Sequence, residues 1–465
     1  MKILVINVSL RPDSKTKQYP IGLSYIASAI KRGGINMDLV DLDINRFSDK
    51  DVEKKIASED YDIVALGCLV TGYKIIKKLL KTIRCIHEKA LIVVGNSVAS
   101  SIPDILLNKT EADVAVMGEG EETIVELIES WEKKRSLEGV AGIIYKKNGK
   151  IIHNGKRKVI EDINSIPLPD WDIFDVNRYI ESHEFILKVS NISHLGNKTD
   201  QLKVFPVSFA RGCVLKCTFC YHNFIGTRYR FRSNSSLIDE IKVLNERYGV
   251  NFIVSWDDLS FHSKKQLNEF SNLILEEKVE IYWQGQVRGD MFYRNEDINL
   301  LKKMKDSGCI KLHSSLESTN PEILKAMKKP LCLDKFRRQK GLLDKTGIKS
   351  MTSLVLGYPQ ETPQTLAKTF RFCLDNGYYP TTGYLTPQPL TPMYELAKEK
   401  GLIKNDEEYL LKMGDRQDFL LNYTEMSDDE FQGNVLHWLK KLNKDLNVGL
   451  DENNLIKTEV HRSVK

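Results

Sequence analysis

The stretch "RGCVLKCTFCYHN", Arg211 to Asn223, places Cys213, Cys217 and Cys220 within eight residues. The chain has eight cysteines in 465 residues, and the other five are scattered. One tight group in a large chain is typical of a metal site and not of a disulfide framework. The stretch therefore predicts an inorganic centre held by three thiolates.

Two kinds of centre fit this spacing: a reactive inorganic core with one open metal position, and a structural zinc ion. The apolar run "KVFPVSFA", residues 203–210, predicts a strand that ends where the cysteines begin. Three cysteines leave one metal position open, where chemistry can occur. Arg211 would supply a cation beside the centre, and Phe219 and Tyr221 would shield it from water. The alternative is structural zinc, with His222 completing a Cys3His set.

The first third of the chain alternates apolar runs with amphipathic stretches. The runs "KILVINV", "NMDLVDLD", "DIVALGCLV", "ALIVVG" and "DVAVMG" are rich in Val, Ile and Leu. Such runs are typical of parallel strands buried on both faces, and the stretches Ile21–Lys31 and Tyr73–Glu88 predict helices between them. We expect a flavodoxin-like, doubly wound α/β domain over residues 1–135.

Ligands of such sheets bind beyond the carboxyl ends of the strands. Glycines there allow close approach of a flat ligand, and an acidic residue suits a helix N-terminus. Ordinary turn and cap chemistry is the alternative for each loop. The candidate binding residues at these ends are Thr71, Gly72, Gly95, Asn96, Gly118, Glu119, Gly120 and Glu121.

Strand and helix patterns alternate again over residues 203–395 and give about six β/α units, a partial (β/α)6 barrel. A linker over residues 136–202 contains a hairpin about Asn148-Gly149. Residues 396–465 predict a helical, charged C-terminal region.

Polar residues and one glycine follow the predicted barrel strands, where active sites lie. The alternative for each of these residues is a solvated position in a turn or on the surface. Two adjacent carboxylates on a strand point to opposite faces, so at most one of the pair would face the barrel interior. The candidates are Asp257, Asp258, Arg288, Glu317 and Gly357.

"RGCVLKCTFC" resembles the signature of radical S-adenosylmethionine (SAM) enzymes. "QYPIGLSYIASAIKRGG", "TGYKIIKKLLKTI", "LIVVGN" and "DVAVMGEGEETIVEL" resemble the cobalamin-binding domain of the cobalamin-dependent members of that family. The resemblance implies a 4Fe–4S cluster on Cys213, Cys217 and Cys220, with SAM on the fourth iron, and a bound cobalamin. The loop "SLRPDSKTKQ" lacks the D-x-H-x-x-G motif of related proteins. This departure implies that the lower ligand of cobalt is not a protein histidine.

The same resemblance assigns roles to the strand-end residues. Glu317 is the preferred polar contact to SAM, and Arg288 matches an arginine that would meet a carboxylate. Asp257 and Asp258 match a "DD" element that would bind SAM or position cobalamin. Gly357 would let the backbone line the adenine.

The resemblance implies methyl transfer to an unactivated carbon of a small molecule or natural-product intermediate, driven by an electron donor such as flavodoxin or ferredoxin. Ring formation or rearrangement with the same cofactors is an alternative. A tRNA methylthiotransferase needs three N-terminal cysteines, and only Cys68 and Cys85 precede Cys213. A metal- or cobalamin-binding regulator is the non-enzyme alternative.

Composition sets further limits. A hydrophobic content of 42% and a net charge of +5 are typical of a globular chain and do not favour nucleic acid or membrane partners. "GTRYRFRSN", residues 226–234, interleaves arginines with aromatic residues, which can bind single-stranded nucleic acid but is more often a solvated face. The sequence shows neither a secretory signal nor an apolar run long enough for a membrane span, so we expect a cytoplasmic protein.

Overall fold

The structure is a computed structural model that describes residues 1–12, 14, 16–189, 201–221 and 228–456, without the side chains of residues 183–189. Its first sheet has seven strands in the order β2-β1-β3-β4-β5-β6-β7. Strands β1 to β5 are parallel, which confirms the doubly wound prediction. The strands are β1 Ile3–Asn7, β2 Met37–Asp41, β3 Ile63–Gly67, β4 Leu91–Gly95, β5 Val114–Val116, β6 Ile143–Lys147 and β7 Lys150–His153.

Helices cover both faces of this sheet. Along β1, Leu4 and Ile6 join one buried apolar cluster, and Ile3 and Val5 join another. Burial on both faces explains why the strand runs lack polar alternation. The helices are α1 Ile21–Arg32, α2 Leu42–Asn45, α3 Asp49–Ile56, α4 Tyr73–Ile86, α5 Asn96–Ser101, α6 Pro103–Lys109 and α7 Glu121–Lys134.

The hairpin about Asn148 and Gly149 belongs to this sheet and not to a free linker, which corrects our domain boundary. Both turn residues have positive φ, 52° and 74°, as a two-residue hairpin turn requires. Strand β6 pairs antiparallel with β5 and covers an edge that would otherwise have unpaired backbone groups.

The second unit is an open barrel of parallel strands. Five strands follow the order β14-β13-β12-β11-β8, and β15 and β16 form a parallel pair. The predicted strand "MTSLVLG" is interrupted at Thr352, whose hydroxyl accepts from the Leu316 N–H, so β14 and β15 share one barrel position. With β16 this gives six positions, as predicted. The barrel strands are β8 Val204–Pro206, β11 Phe252–Val254, β12 Tyr282–Gln286, β13 Cys309–His313, β14 Lys349–Met351, β15 Ser353–Leu356 and β16 Thr381–Tyr384; a small ribbon comprises β9 Ala210–Arg211 and β10 Arg230–Phe231.

Helices pack outside the barrel, and the C-terminal region is helical as expected. The ring of Trp438 on the last helix stacks on Phe370 with an interplanar angle of 3°. In the described part of the chain, no helix is long and apolar enough to cross a membrane. The helices are α8 Val176–Val189, α9 Asn234–Tyr248, α10 Lys264–Glu276, α11 Asp297–Asp306, α12 Pro321–Ala326, α13 Leu333–Thr346, α14 Pro363–Asp375, α15 Pro392–Glu399, α16 Asp406–Lys412 and α17 Asp428–Asp445.

An aromatic cluster joins the two units. Tyr19 of the first unit packs on Phe205 of β8 at a centroid distance of 4.6 Å and on Trp171 at 5.7 Å. The Tyr179 hydroxyl, on α8, donates to Asp41 at the end of β2 (2.8 Å). Residues of the predicted linker therefore fix the first unit against the barrel.

Candidate functional site

The three cysteines lie beside one cavity of about 500 Å³ at the carboxyl ends of the barrel strands. The backbone turns sharply before the first of them. Gly212 has φ of +86°, a conformation that a side chain disfavours, so the Arg-Gly pair has a structural reason. The cavity is also lined by Phe219, Asp258, Arg288, His313 and Glu317.

Thr218, between the second and third cysteines, anchors the cysteine loop. Its N–H donates to the Met327 carbonyl (3.0 Å), and its hydroxyl lies 2.9 Å from the Ala326 carbonyl and 2.8 Å from the Tyr358 hydroxyl. The loop is thus fixed to the end of α12 and to the segment after β15. Sequence analysis missed this residue, because nothing in its local pattern shows such distant partners.

Arg211 connects the cysteine loop to the first unit. Its Nη1 donates to Glu119 Oε1 at 2.5 Å, and its Nη2 donates to Glu121. Arg230 donates to the same Glu119 carboxylate at 2.9 and 3.0 Å. Burial would raise the pKa of Glu119, but the hydrogen bonds from Arg230 and Arg211 outweigh it and hold the pKa below its usual value. We call Glu119, Glu121, Arg211 and Arg230 the interdomain clamp.

The three thiols lie in partly desolvated surroundings, although the residues themselves are half-buried or, for Cys220, exposed. Burial raises the pKa of Cys217 to about 11, and it also raises the pKa of Cys213 and Cys220. These thiols would be protonated at neutral pH unless a metal displaced the protons.

A 4Fe–4S cluster and a single metal ion would use the three thiolates differently. Within the described ranges, no group of three or more His, Cys, Asp and Glu side chains is arranged to hold one metal ion. A 4Fe–4S cluster distributes three thiolates over three different irons, so it does not need them around one centre. His222, the fourth ligand in the zinc alternative, lies outside the described residues.

The two adjacent aspartates differ in their surroundings. The Asp257 carboxylate accepts from the Phe209 N–H (2.7 Å), the Ser208 hydroxyl (3.0 Å) and the Ser255 hydroxyl (2.7 Å). It therefore supports the start of the cysteine loop. Asp258 lines the cavity, and burial raises its pKa to about 6.

Glu317 carries an oxygen that is free to receive a ligand's donor. Its Oε1 accepts from Lys329 Nζ at 3.2 Å, whereas its buried Oε2 has no hydrogen-bond partner among the described residues. The residue has φ of +63° and is held by its N–H, which donates to the Ser353 carbonyl (3.0 Å). A buried carboxylate oxygen needs a donor, so this position fits the ammonium or hydroxyl groups of SAM.

Arg288 and Gly357 have structural roles within the chain. The Arg288 guanidinium lines the cavity but forms a two-point ion pair with Asp290, through bonds of 3.0 and 2.9 Å. Gly357 is not among the cavity-lining residues. Its φ is +100°, and a Cβ added there would lie 3.2 Å from the Phe431 ring. Packing of α17 explains this glycine directly.

The carboxyl edge of the first sheet has an open cradle. A Cβ on Gly95 or Gly118 would meet nothing within 4 Å, and Asn96 is exposed with φ of 67°. The edge can therefore take a flat ligand against its backbone, as cobalamin requires. Thr71 is half-buried there, while Gly72 and Gly120 serve packing: a Cβ would lie 2.4 Å from Cys68 Sγ and 2.9 Å from Ile26 Cδ1, respectively.

The interior of the barrel also holds basic residues that sequence analysis missed. Lys311 and His313 lie on the same face of β13, and Arg416 reaches the barrel from the segment after α16. Alternation along the predicted strand could have identified the first two. Arg416 lies in a charged tail with no local signal.

The arginines of "GTRYRFRSN" are engaged in ion pairs. Arg230 is part of the interdomain clamp, Arg232 pairs with the buried Glu240, and the exposed Arg228 lies 3.4 Å from Glu161. Two of the three are therefore buried, which does not suit a nucleic acid surface.

Comparisons with known proteins agree with this architecture. The family model of the B12 binding domain matches residues 10–128, and that of the Radical SAM superfamily matches residues 207–373. An uncharacterized methyltransferase of Pyrococcus horikoshii is 28% identical over 87% of this chain and 85% of its own length. The anaerobic magnesium-protoporphyrin IX monomethyl ester cyclase of Rubrivivax gelatinosus is 25% identical over 84% of this chain and 68% of its own.

Among solved structures, the radical SAM methyltransferase TsrM from Kitasatospora setae superposes with a TM-score of 0.70 at 17% identity, covering 95% of this chain and 89% of TsrM. At that identity the likeness concerns the fold. A B12-binding domain joined to a radical SAM domain defines a cobalamin-dependent radical SAM enzyme. The chain carries both domains, and its cofactors are cobalamin, a 4Fe–4S cluster and SAM.

Gly95→Ala is expected to weaken cobalamin binding by at least about tenfold without changing the thermal unfolding midpoint. The new methyl group meets no protein atom but fills the cradle. Cobalamin affinity would be measured by equilibrium dialysis. Gly341→Ala on α13, which also meets nothing within 4 Å, is the matched control and should bind normally. Equal affinity in both variants would place cobalamin elsewhere.

Glu361→Gln is expected to make the protein less sensitive to pH. Burial raises the pKa of Glu361 to about 7 from 4.5. A raised folded-state pKa means that stability falls as pH rises from about 4.5 to about 7, by up to roughly 3 kcal/mol. The variant should therefore be more stable than wild type at pH 8, as measured by urea unfolding. Glu399→Gln, at an exposed position, is the control. If the free energy of unfolding changed between pH 5 and pH 8 by the same amount in Glu361→Gln as in wild type, the expectation would be contradicted.

Proposed function

We propose that this enzyme transfers a methyl group to an unactivated carbon of a small-molecule substrate that lies between the two units. When bound, SAM and the cluster supply a radical that removes a hydrogen atom, and cobalamin carries the methyl group. The observation that carries the proposal is the interdomain clamp. It joins the loop "GEGEET" at the candidate cobalamin edge to Arg211, two residues before the first cysteine.

The chain's own residues would position these groups and exclude water. Cys213, Cys217 and Cys220 would hold the cluster, and Glu317 Oε2 would accept a hydrogen bond from SAM. Asp258 faces the same cavity, and Phe219 lines it beside the cysteines, where it would limit water access. The Gly95 and Gly118 backbone would lie against cobalamin.

Ring formation is the second candidate, because one relative is a cyclase and matches 84% of this chain. The fold is compatible with both reactions. The two differ in the product: methyl transfer adds a carbon, whereas ring closure removes hydrogen and adds none.

The test is anaerobic purification and turnover. Iron and cobalt contents would be measured first, and zinc without iron would overturn the proposal. The enzyme would then react with candidate substrates and SAM labelled with a trideuterated methyl group. We expect a product that gains one labelled methyl group. A product that loses two hydrogens without gaining carbon would favour ring closure instead.

An external reductant such as flavodoxin or ferredoxin would supply the electron. Val214 and Lys216, between the cysteines, are exposed, and so are Lys325 and Lys328 nearby in the fold. This positive rim suits an acidic donor protein. A cytoplasmic location, where such donors are found, stays a prediction.

A further inference from the structure

The barrel interior contains two cations, Lys311 and Arg416, for which the described residues supply no counter-ion. Lys311 and His313 lie on β13 opposite Gln284 and Gln286 of β12. Lys311 and His313 share one face of β13 because alternate residues of a strand point the same way, and a register shift between Trp283 and Gln284 leaves Ile310 without an opposite residue. The Lys311 ammonium forms no hydrogen bond or ion pair among the described residues, and burial alone lowers its pKa to about 8.

Arg416 enters the same region from the C-terminal region. Its carbonyl accepts from the Tyr384 N–H of β16 at 2.8 Å, so this segment is fixed along the barrel edge. A Cβ on Gly383 would lie 3.2 Å from Arg416 Cδ, so the glycine makes room for the arginine stem. The side chain is exposed to open space, yet desolvation lowers its pKa. Its charge acts on His313, which lines the cavity beside the cysteines, so the guanidinium lies close to that cavity.

Neighbouring carboxylates do not neutralise these cations. Asp415 Oδ1 accepts from Arg11 at 2.6 and 2.8 Å, and Glu317 Oε1 accepts from Lys329. His313 remains neutral, because burial and then the charges of Arg416, Lys329 and Lys311 lower its pKa to about 4. The Arg416 guanidinium forms no hydrogen bond or ion pair among the described residues; burial lowers its pKa, and the more distant charges of Glu317 and Asp415 offset this only in part.

We propose that Arg416 and Lys311 bind an oxyanion of the substrate, a carboxylate or a phosphate group, inside the barrel beside the SAM site. The inference rests on the proposed function, since it concerns the substrate of that site. Two partly desolvated cations without counter-ions are costly unless a ligand supplies the negative charge. The fork of a guanidinium matches both kinds of oxyanion. Such an anchor would orient the reacting carbon between cobalamin and SAM.

The test uses anaerobic holoenzyme and does not require turnover. Equilibrium dialysis with inorganic phosphate and, separately, with acetate would be carried out both without SAM and with saturating SAM. We expect wild type to bind at least one of them, and the preferred anion identifies the substrate group. Arg416→Gln and Lys311→Met should each weaken binding by about tenfold or more, whereas Arg416→Lys should lose less. Arg338→Gln, an exposed arginine on α13, is the matched control and should bind like wild type.

Three results would overturn the proposal. Wild type would bind neither anion, or the variants would bind as wild type does, which indicates an adventitious ion only. Alternatively, SAM would displace the anion competitively, which would assign these cations to the SAM carboxylate. Unchanged SAM affinity in Arg416→Gln verifies that the variant is folded. Because binding is measured without methyl transfer, the result does not depend on whether the proposed reaction is correct.

Discussion

Cys217→Ala is expected to abolish SAM cleavage and to remove most of the iron and sulfide from anaerobically purified protein. Cys217 would supply one of three thiolates, so its removal would leave one iron of the cluster without its protein ligand. The loss would be measured by iron and sulfide content, by the visible absorbance of the cluster, and by chromatography of SAM cleavage products. Activity should fall to the level of protein-free controls.

Cys332→Ala is the matched control for this loss. Cys332 is exposed and precedes α13. The control should keep its iron and its SAM cleavage activity. If Cys217→Ala turned over SAM normally, or if wild type contained zinc in place of iron, the assignment of the centre would be wrong.

The sequence predicted the parts of the fold that depend on short patterns. Strands β1 to β5 were identifiable because residues such as Ile3 to Ile6 are apolar at every position, and burial on both faces requires this. The hairpin turn at Asn148 and Gly149 was identifiable from turn chemistry. The position of this hairpin at the edge of the first sheet was not identifiable, because the pairing of β6 with β5 is a long-range contact that alternation does not encode.

The same distinction applies to the site. The cysteine spacing predicted a metal centre with three thiolates. Asp257 and Asp258 were expected at the end of a strand, but β11 ends at Val254, so strand alternation does not explain why Asp258 lines the cavity and Asp257 does not. Asp257 can accept hydrogen bonds from residues 208–210 because β8 and β11 lie side by side. The sequence pattern alone does not show which strands are neighbours. Arg416 was missed for the same reason, since Tyr384, to which it is tied, lies more than thirty residues earlier in the chain.

Glu119 makes contacts that its predicted role did not include. Its loop was expected to contact cobalamin directly, and contact by the loop backbone at Gly118 stays a prediction. The Glu119 side chain, however, is 8% exposed and points to Arg211 and Arg230 of the radical SAM domain. A carboxylate shared by two guanidiniums fixes the distance between the units more rigidly than one exposed ion pair would.

Glu119→Gln is therefore expected to uncouple SAM cleavage from methyl transfer. The substitution removes one charge and leaves two buried arginines short of a partner, which should lower the free energy of unfolding by roughly 3 kcal/mol. The cysteine loop keeps its own anchors at Thr218, so SAM cleavage should persist. Methyl transfer should fall by about 100-fold, since small errors in the relative position of reacting groups have effects of that size.

The ratio of 5′-deoxyadenosine formed to methyl groups transferred measures the uncoupling, and denaturant unfolding measures the stability. Glu126→Gln is the matched control, because Glu126 also pairs with an arginine, Arg157, but does so within the first unit and on its surface. It should leave the ratio unchanged. If Glu119→Gln lowered both rates equally, the clamp would act on the cluster alone, and the relative position of the two units would depend on the aromatic cluster around Tyr19 instead.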